Sequence, residues 1–311
     1  MEVDQLFEMP PALAVSGLMP SPPGVIVDIT RMVNNADTTV DDLAGVIETD
    51  PVLVARMLAT VNSSLYNLRR EIHSIPDTVM LLGFRAVRSL ALGVSVSEGL
   101  PDPSHCPGFD TGNYWRRSLM TAVLSRDLGV HIKRSLADEA FTVGLISNIG
   151  RLVIATAVPQ LYAPLLVHTS WPDAAIERAA LGFDSATVTA AVLHGWGLPD
   201  SMCFSVGHLA DPDLLPQHVD DETKTVTQIV GAASSAIATA LDPTEDTPIS
   251  SVAEHLAADL GLQRGTAQEA IEEGSAHLGE VKHLIAKTLP AGVQADRLIT
   301  EAQKVLHQAA Q

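Results

Sequence analysis

Basic residues are scarce. The 311-residue chain holds 19 Lys+Arg against 37 Asp+Glu, a formal net charge of 19 − 37 = −18. The deficit runs along the whole chain, and no basic tail or arm stands out. Nucleic acid as the main partner is disfavoured, because phosphate binding rests on an excess of Lys and Arg. Docking on anionic lipid is disfavoured for the same reason, and the bland reading is a soluble, self-repelling surface. Cysteine is nearly absent: Cys106 and Cys203 make no CxxC and no disulfide framework. Two reduced thiols in a reducing compartment are expected. Met1-Glu2-Val3-Asp4 lacks the positive start of a signal peptide. No uninterrupted apolar run approaches the ~18–20 residues of a membrane span. A cytoplasmic protein is expected. Aromatic residues make up only 4% of the chain, which suits tight Ala/Leu/Val helix packing better than a β-sandwich. There is also no P-loop, GxGxxG, HExxH or GxSxG motif.

Apolar material is ample, at 46% of residues, so disorder of the whole chain is excluded. Its spacing is helical. Residues 1–24 carry five prolines and predict an irregular lead-in. Val25, Ile26, Ile29, Met32 and Val33 then recur at i, i+3, i+4 spacing. Thr39 with Asp42, Asp50 with Pro51, and Ser74 with Pro76 are helix starts. Gly83 either ends a helix or lets two helices approach closely. Residues 84–97 continue helically, and 99–113, rich in Pro and Gly, predict a loop. Helices are predicted over 114–128, 138–146, 174–181 and 185–193, with Pro159, Pro164 and Pro172 breaking the stretch between. Pro199 and Asp200 open another towards His208, and 210–222 is the best linker candidate. Helices over 226–241, 252–260, 266–278, 281–289 and 296–308 complete the chain. No alternating strand run and no repeat is found, so the fold class is all-α, a multi-helix bundle.

Two arginine groupings invite a phosphate-binding reading. Arg85 and Arg88 sit at i and i+3, with Arg69 and Arg70 upstream. The short helices over 39–49 and 51–61 even have the spacing of a helix-turn-helix. Helix packing with salt bridges to an acidic surface explains the same residues and is preferred, since the global charge opposes DNA. An arginine pocket for one small phosphate ligand or an acidic partner segment stays open. The eleven histidines are scattered, and His277 and His283 miss the i, i+4 spacing of a helical metal pair. No metal and no cofactor is expected.

The string Asp50-Pro51-Val-Leu-Val-Ala-Arg56-Met-Leu-Ala-Thr-Val-Asn62-Ser63 is specific, as is Ser74-Ile-Pro-Asp-Thr-Val-Met-Leu-Leu-Gly83. With Tyr114-Trp115-Arg116-Arg117-Ser118, Phe141-Thr-Val-Gly144-Leu-Ile-Ser147-Asn148-Ile-Gly150 and Trp196-Gly-Leu-Pro199, the chain resembles the bacterial HDOD family, the HD-related output domain. The resemblance implies an HDOD domain over 21–215, after an irregular segment over 1–20. A C-terminal helical extension over 216–311 would pack on the same bundle. Most motif residues read as structural. Asp50-Pro51 caps and starts a helix; Asn62 and Ser63 satisfy backbone groups at a helix end. Gly83, Gly144 and Gly150 permit turns or close packing. Trp115 and Trp196 are packing anchors, and Pro199 starts a helix.

Metal-dependent HD phosphohydrolases are known for a His, a His-Asp pair and a later Asp. Where such a family reads Gly-Leu-Leu-His-Asp-Ile-Gly, this chain has Gly144-Leu145-Ile146-Ser147-Asn148-Ile149-Gly150. Arg117 falls near the earlier His, Ser185 stands where another His is common, and His208 is retained. Ser and Asn are poor ligands for a hydrolytic transition metal. The resemblance therefore implies a non-catalytic, degenerate HD bundle that acts by protein–protein contact. Its partners would be signalling proteins such as a kinase, a receiver or a cyclic di-GMP turnover protein, with no DNA and no membrane. Apolar positions of 226–241 are a candidate contact face. Two alternatives remain. One is a residual HD phosphohydrolase acting on cyclic dinucleotides. The other is a nucleotide receptor without chemistry, built on Arg117, Ser147, Asn148 and His208 or on the Arg85/Arg88 face.

Overall fold

A computed structural model describes residues 7–14, 24–95, 100–282, 289 and 294–311, and its helices begin where capping chemistry lies. Within the expected irregular lead-in, Pro11–Ala14 forms one helical turn, α1. α2 (Gly24–Val33) buries Ile26 and Ile29. α3 (Val40–Ile47) starts at Thr39, whose hydroxyl accepts from the Asp42 N–H while Asp42 accepts from the Thr39 N–H, a reciprocal cap. α4 (Pro51–Val61) starts at Asp50, whose carboxylate accepts from the Val52 and Leu53 N–H groups at 2.9 and 3.0 Å. At its far end Asn62 donates to the Ile72 carbonyl and accepts from the Ile72 N–H, both at 2.7 Å. Ser63 donates to the Thr60 carbonyl at 2.6 Å.

α5 (Ile75–Leu82) and α6 (Phe84–Ser95) meet at Gly83. Gly83 has φ +81°, and no atom would crowd a Cβ there, so its role is the turn rather than close packing. Arg85 pairs with Glu139 and Glu222, while Arg88 is buried. These arginines serve packing and ion pairing, as the acidic surface favours.

α7 (Thr111–Lys133) is the central element. It starts three residues earlier than its apolar pattern, because Asp110 accepts from the Asn113 N–H at 2.9 Å. α8 (Ala137–Ile146), α14 (Asp221–Leu241) and α16 (Arg264–Val281) all pack on it. The stretch Thr111–Ala157 is apolar and long enough to cross a membrane by length and composition, and most of that apolar surface is buried inside the protein. At Gly144 a Cβ would lie 3.0 Å from the Ala122 Cα, so this glycine lets α8 close on α7.

α9 (Ile149–Ala157) and α12 (Ser185–Gly195) approach even more tightly, at Gly150. α10 (Pro159–Leu166) and α11 (Ala174–Leu181) lie between them in sequence. Pro164 does not break the chain as expected but sits inside α10; it forfeits only its own N–H bond, and the helix ends two residues later. α13 (Asp200–Gly207) follows Pro199. The buried Trp196 precedes it, and the buried Trp115 packs edge-on to Tyr114 in α7.

Two expectations about the C-terminal part need correction. The apolar residues of 226–241 are not a free face: Val226, Ile229, Val230 and Ile237 of α14 are buried. α15 (Val252–Leu260) and α17 (Ala295–Ala310) close over that region with α16. The predicted break between 278 and 281 is absent, and α16 runs through Gly279 because its packing on α7 and α17 outweighs the weak helix preference of glycine. Residues 283–288 of the predicted helix over 281–289, His283 included, lie outside the described residues. One apolar cluster extends from Leu13 to Ala310. Both cysteines are free and buried within it, and burial pushes the Cys203 thiol up to about 12.

Candidate functional site

Arg117 sits on the first turns of α7, only 3% exposed. Its side chain lines an open cleft of about 870 Å³ between α7, α9, α14 and the segments before α11 and after α13. That volume is in the range of small-molecule sites. Arg151, one turn after Asn148 on α9, enters the same cleft and is 7% exposed. Trp171 stands between the sequence positions of α10 and α11 and binds both cations. The Arg117 and Arg151 Cζ atoms lie 4.7 and 4.2 Å from its ring centroid. Such contacts contribute about 0.5–2 kcal/mol each, more when desolvated.

The two arginines are neutralised differently. Arg151 donates to Glu177 Oε1 at 2.9 Å and to the Tyr162 hydroxyl oxygen at 3.1 Å; Tyr162 itself donates to Glu177 at 2.9 Å. Glu177 is fully buried, and its second oxygen accepts from the Ser185 N–H at 2.7 Å. This pair is a closed, internal network that also fixes the start of α12. Arg117 instead donates to Asp242, the residue that ends α14, whose side chain is 61% exposed. Burial holds the Arg117 guanidinium below its ordinary value, with Asp242 opposing and Arg151 adding to the depression. The Nε atoms of both arginines are buried without a hydrogen-bond partner.

The other residues expected at the site are not brought together with Arg117 in this cleft. Ser147 Oγ donates to the Gly144 carbonyl at 2.8 Å, and Asn148 donates to Ser147 Oγ at 3.3 Å. His208 caps the end of α13, its Nδ1 2.8 Å from the Phe204 carbonyl. None of the three lines the cleft. Gly150, next in the motif, allows the α9–α12 contact: a Cβ there would lie 2.0 Å from the Ser185 carbonyl oxygen.

A metal ion is what the wider HD superfamily implies here, and the residues do not fit one. The positions that the resemblance aligns with its ligands carry a hydroxyl and an amide engaged with each other and with backbone, and a guanidinium paired elsewhere with Asp242. Among the described residues no group of three His, Cys, Asp or Glu side chains is placed to hold a metal. What the arrangement offers is cationic: hydrogen-bond donors for an anion.

Sequence reasoning found Arg117 but missed Arg151, Trp171, Glu177 and Asp242. One signal was present. Trp171 is the third tryptophan of an aromatic-poor chain, and the only one not placed in a motif.

Fold and site together define an all-α bundle of the HD-related kind. The chain belongs to the HDOD domain family, whose profile matches residues 19–212. It is similar to a solved HDOD domain protein of unknown function from Geobacter sulfurreducens. The two share 18% identity over 89% of this chain and 98% of that one, with a TM-score of 0.64. A proposed phosphohydrolase from Shewanella amazonensis SB2B matches at 23% identity over 90% and 98% of the two chains, with a TM-score of 0.65. These likenesses establish fold. An uncharacterized protein from Treponema pallidum (strain Nichols) is 23% identical over 70% of this chain and 42% of its own length. The chain thus spans less than half the length of that curated relative.

Proposed function

We propose that this chain is a non-catalytic regulatory module of bacterial signal transduction, acting in the cytoplasm by contact with a partner protein. The observation that carries this reading is the replacement chemistry of the HD site. Ser147 and Asn148 are spent on each other and on backbone, and Arg117 supplies a fixed positive charge. Without imidazole and carboxylate ligands no metal-bound water is generated as nucleophile. The partner would be a kinase, a receiver or a cyclic di-GMP turnover protein. A contact face is supported on α5, where Met80 and Leu81 are 67% and 49% exposed beside Arg69, Arg70 and Asp77. An apolar patch with two arginines, on a chain of net charge −18, suits an acidic amphipathic segment.

Two measurements test the reading. Elemental analysis of protein purified without chelator should find substoichiometric Fe, Mn and Zn, and turnover of bis(p-nitrophenyl) phosphate with added Mn²⁺ should match buffer. A stoichiometric metal, or turnover that Asn148→Ala abolishes, would establish a phosphohydrolase instead. Crosslinking in the native host should recover one specific signalling protein, and L81E should lose it. Recovery of none speaks against the interaction role.

A further inference from the structure

The cleft around Arg117 has a polarity that neither its family membership nor its role as a contact module explains. Its floor is cationic and its rim is acidic. Arg117 and Arg151 lie at the bottom, nearly inaccessible, while Asp173, Asp213, Asp242 and Asp259 are exposed around the mouth. Arg151 already owns a fully buried carboxylate, Glu177. Arg117 does not. Among the described residues its carboxylate partner is an exposed one at the end of a helix, and its Nε has no hydrogen-bond partner. A buried guanidinium normally holds a buried or bidentate partner, because an unpaired charge away from water is costly. Asp242 therefore stands in for an anion that can be exchanged.

We propose that this cleft binds a nucleotide whose phosphate replaces Asp242 on Arg117. Three features set that ligand class. The first is the donor set: Arg117 alone is free to change partner, so one phosphate is matched rather than a polyanion. The second is Trp171: both guanidinium groups lie over its ring, so a planar base finds aromatic face there only as Arg117 moves off it onto the phosphate. The third is the acidic rim. Bare phosphate or a polyphosphate meets repulsion there, whereas a base carrying hydrogen-bond donors meets acceptors. Guanine presents two adjacent donors, an imino N–H and an exocyclic amino group, that a carboxylate receives side by side; adenine presents only its exocyclic amino group. Ser234, Ser235 and Thr239 of α14 line the remaining wall and can serve the ribose.

Asp242 is then an internal competitor. It ends α14, so exchange of Asp242 for phosphate releases the last turn of a helix that packs on α7 and α13. Occupancy of the cleft is coupled to the end of α14, which is how a module without chemistry would report a small molecule.

Calorimetric titration of the full chain at low salt, with GMP, AMP and inorganic phosphate, tests the proposal. GMP should bind saturably, at least about tenfold more tightly than AMP or phosphate, and the nucleotide should be recovered intact. R117Q should weaken GMP binding by about tenfold or more, as loss of a charge-assisted pair requires. D242N, which keeps an oxygen acceptor for Arg117 and removes only the competing charge, should tighten it several-fold. That second variant decides the matter if R117Q does not fold. Absence of GMP binding, equal binding of phosphate alone, or tight binding unaffected by D242N would overturn the proposal. Hydrolysis of bound GMP would leave the site in place and overturn the non-catalytic reading instead.

Discussion

His277 Nδ1 lies 2.9 Å from Asp127 Oδ2, joining α16 to the central helix α7 across 150 positions of sequence. The hydrogen bond to Asp127 raises the His277 pKa above its ordinary 6.5, with Glu273 adding to it and burial and Arg126 opposing. A raised histidine contributes stability that is fully present below the unfolded value and is lost as pH rises through the folded one. Thermal melts should therefore show stability falling as pH is raised from about 6.5 through the shifted value, with α16 loosening first. Below that window Asp127 takes over, because burial pushes its carboxyl above the ordinary range. H277Q should flatten the neutral limb of the profile; an unchanged slope in H277Q would show that another group carries it.

Gly150 is where side-chain volume has no room. An added Cβ would sit 2.0 Å from the Ser185 carbonyl oxygen and 2.9 Å from the Thr189 nitrogen, and backbone atoms cannot rotate away. Gly150→Ala should cost about 3 kcal/mol, the upper end of overpacking penalties. Gly83→Ala should cost about 1–2 kcal/mol for a different reason, since only its positive φ is strained. Urea unfolding of both variants checks the order; a reversed order would mean that α9 and α12 can separate cheaply.

Which of these features could be read beforehand depends on the range over which they act. Thr39, Asp50, Ser74 and Asp110 declare or shift helix starts by bonds to residues two or three positions on, so local sequence contains nearly all the information. Gly83 and Gly150 look alike in sequence, yet one turns the chain and the other admits a neighbour 35 residues away. Arg117 was recognisable from its motif. Its partner Asp242 lies 125 residues further on, beyond the family's matched segment, and its stacking partner Trp171 occupies an irregular stretch. No spacing rule connects such residues, because only the packing of α14 on α7 brings them together.

Asn62 clamps an irregular segment. Its amide holds both the N–H and the carbonyl of Ile72 at 2.7 Å, ten residues ahead, closing the stretch between α4 and α5. Asn62→Ala removes two hydrogen bonds and leaves partly buried backbone groups without acceptor or donor, a loss of about 2–3 kcal/mol. Limited proteolysis should then cut residues 63–73 first. Asn62→Asp keeps the acceptor and loses the donor, so it should be intermediate. Equal resistance in all three proteins would mean that Tyr66 and Leu65, buried in the same stretch, hold it without the clamp.

The Arg151–Glu177–Tyr162 cluster allows the sharpest energetic test. Removing one member of a buried ion pair leaves the other charged and unpaired, at about 3–5 kcal/mol, whereas replacing both by apolar residues can be nearly neutral. Glu177→Ala strips Arg151 of its carboxylate and also removes the acceptor of the Ser185 N–H at the start of α12. The double variant R151M/E177L keeps the second loss and removes the first. It should therefore be more stable than Glu177→Ala, with a residual cost of about 1–3 kcal/mol from the unsatisfied N–H. Strict additivity of the single costs would mean that Arg151 finds a second partner when Glu177 goes, and Asp242, already at Arg117 in the same cleft, is the candidate to look for.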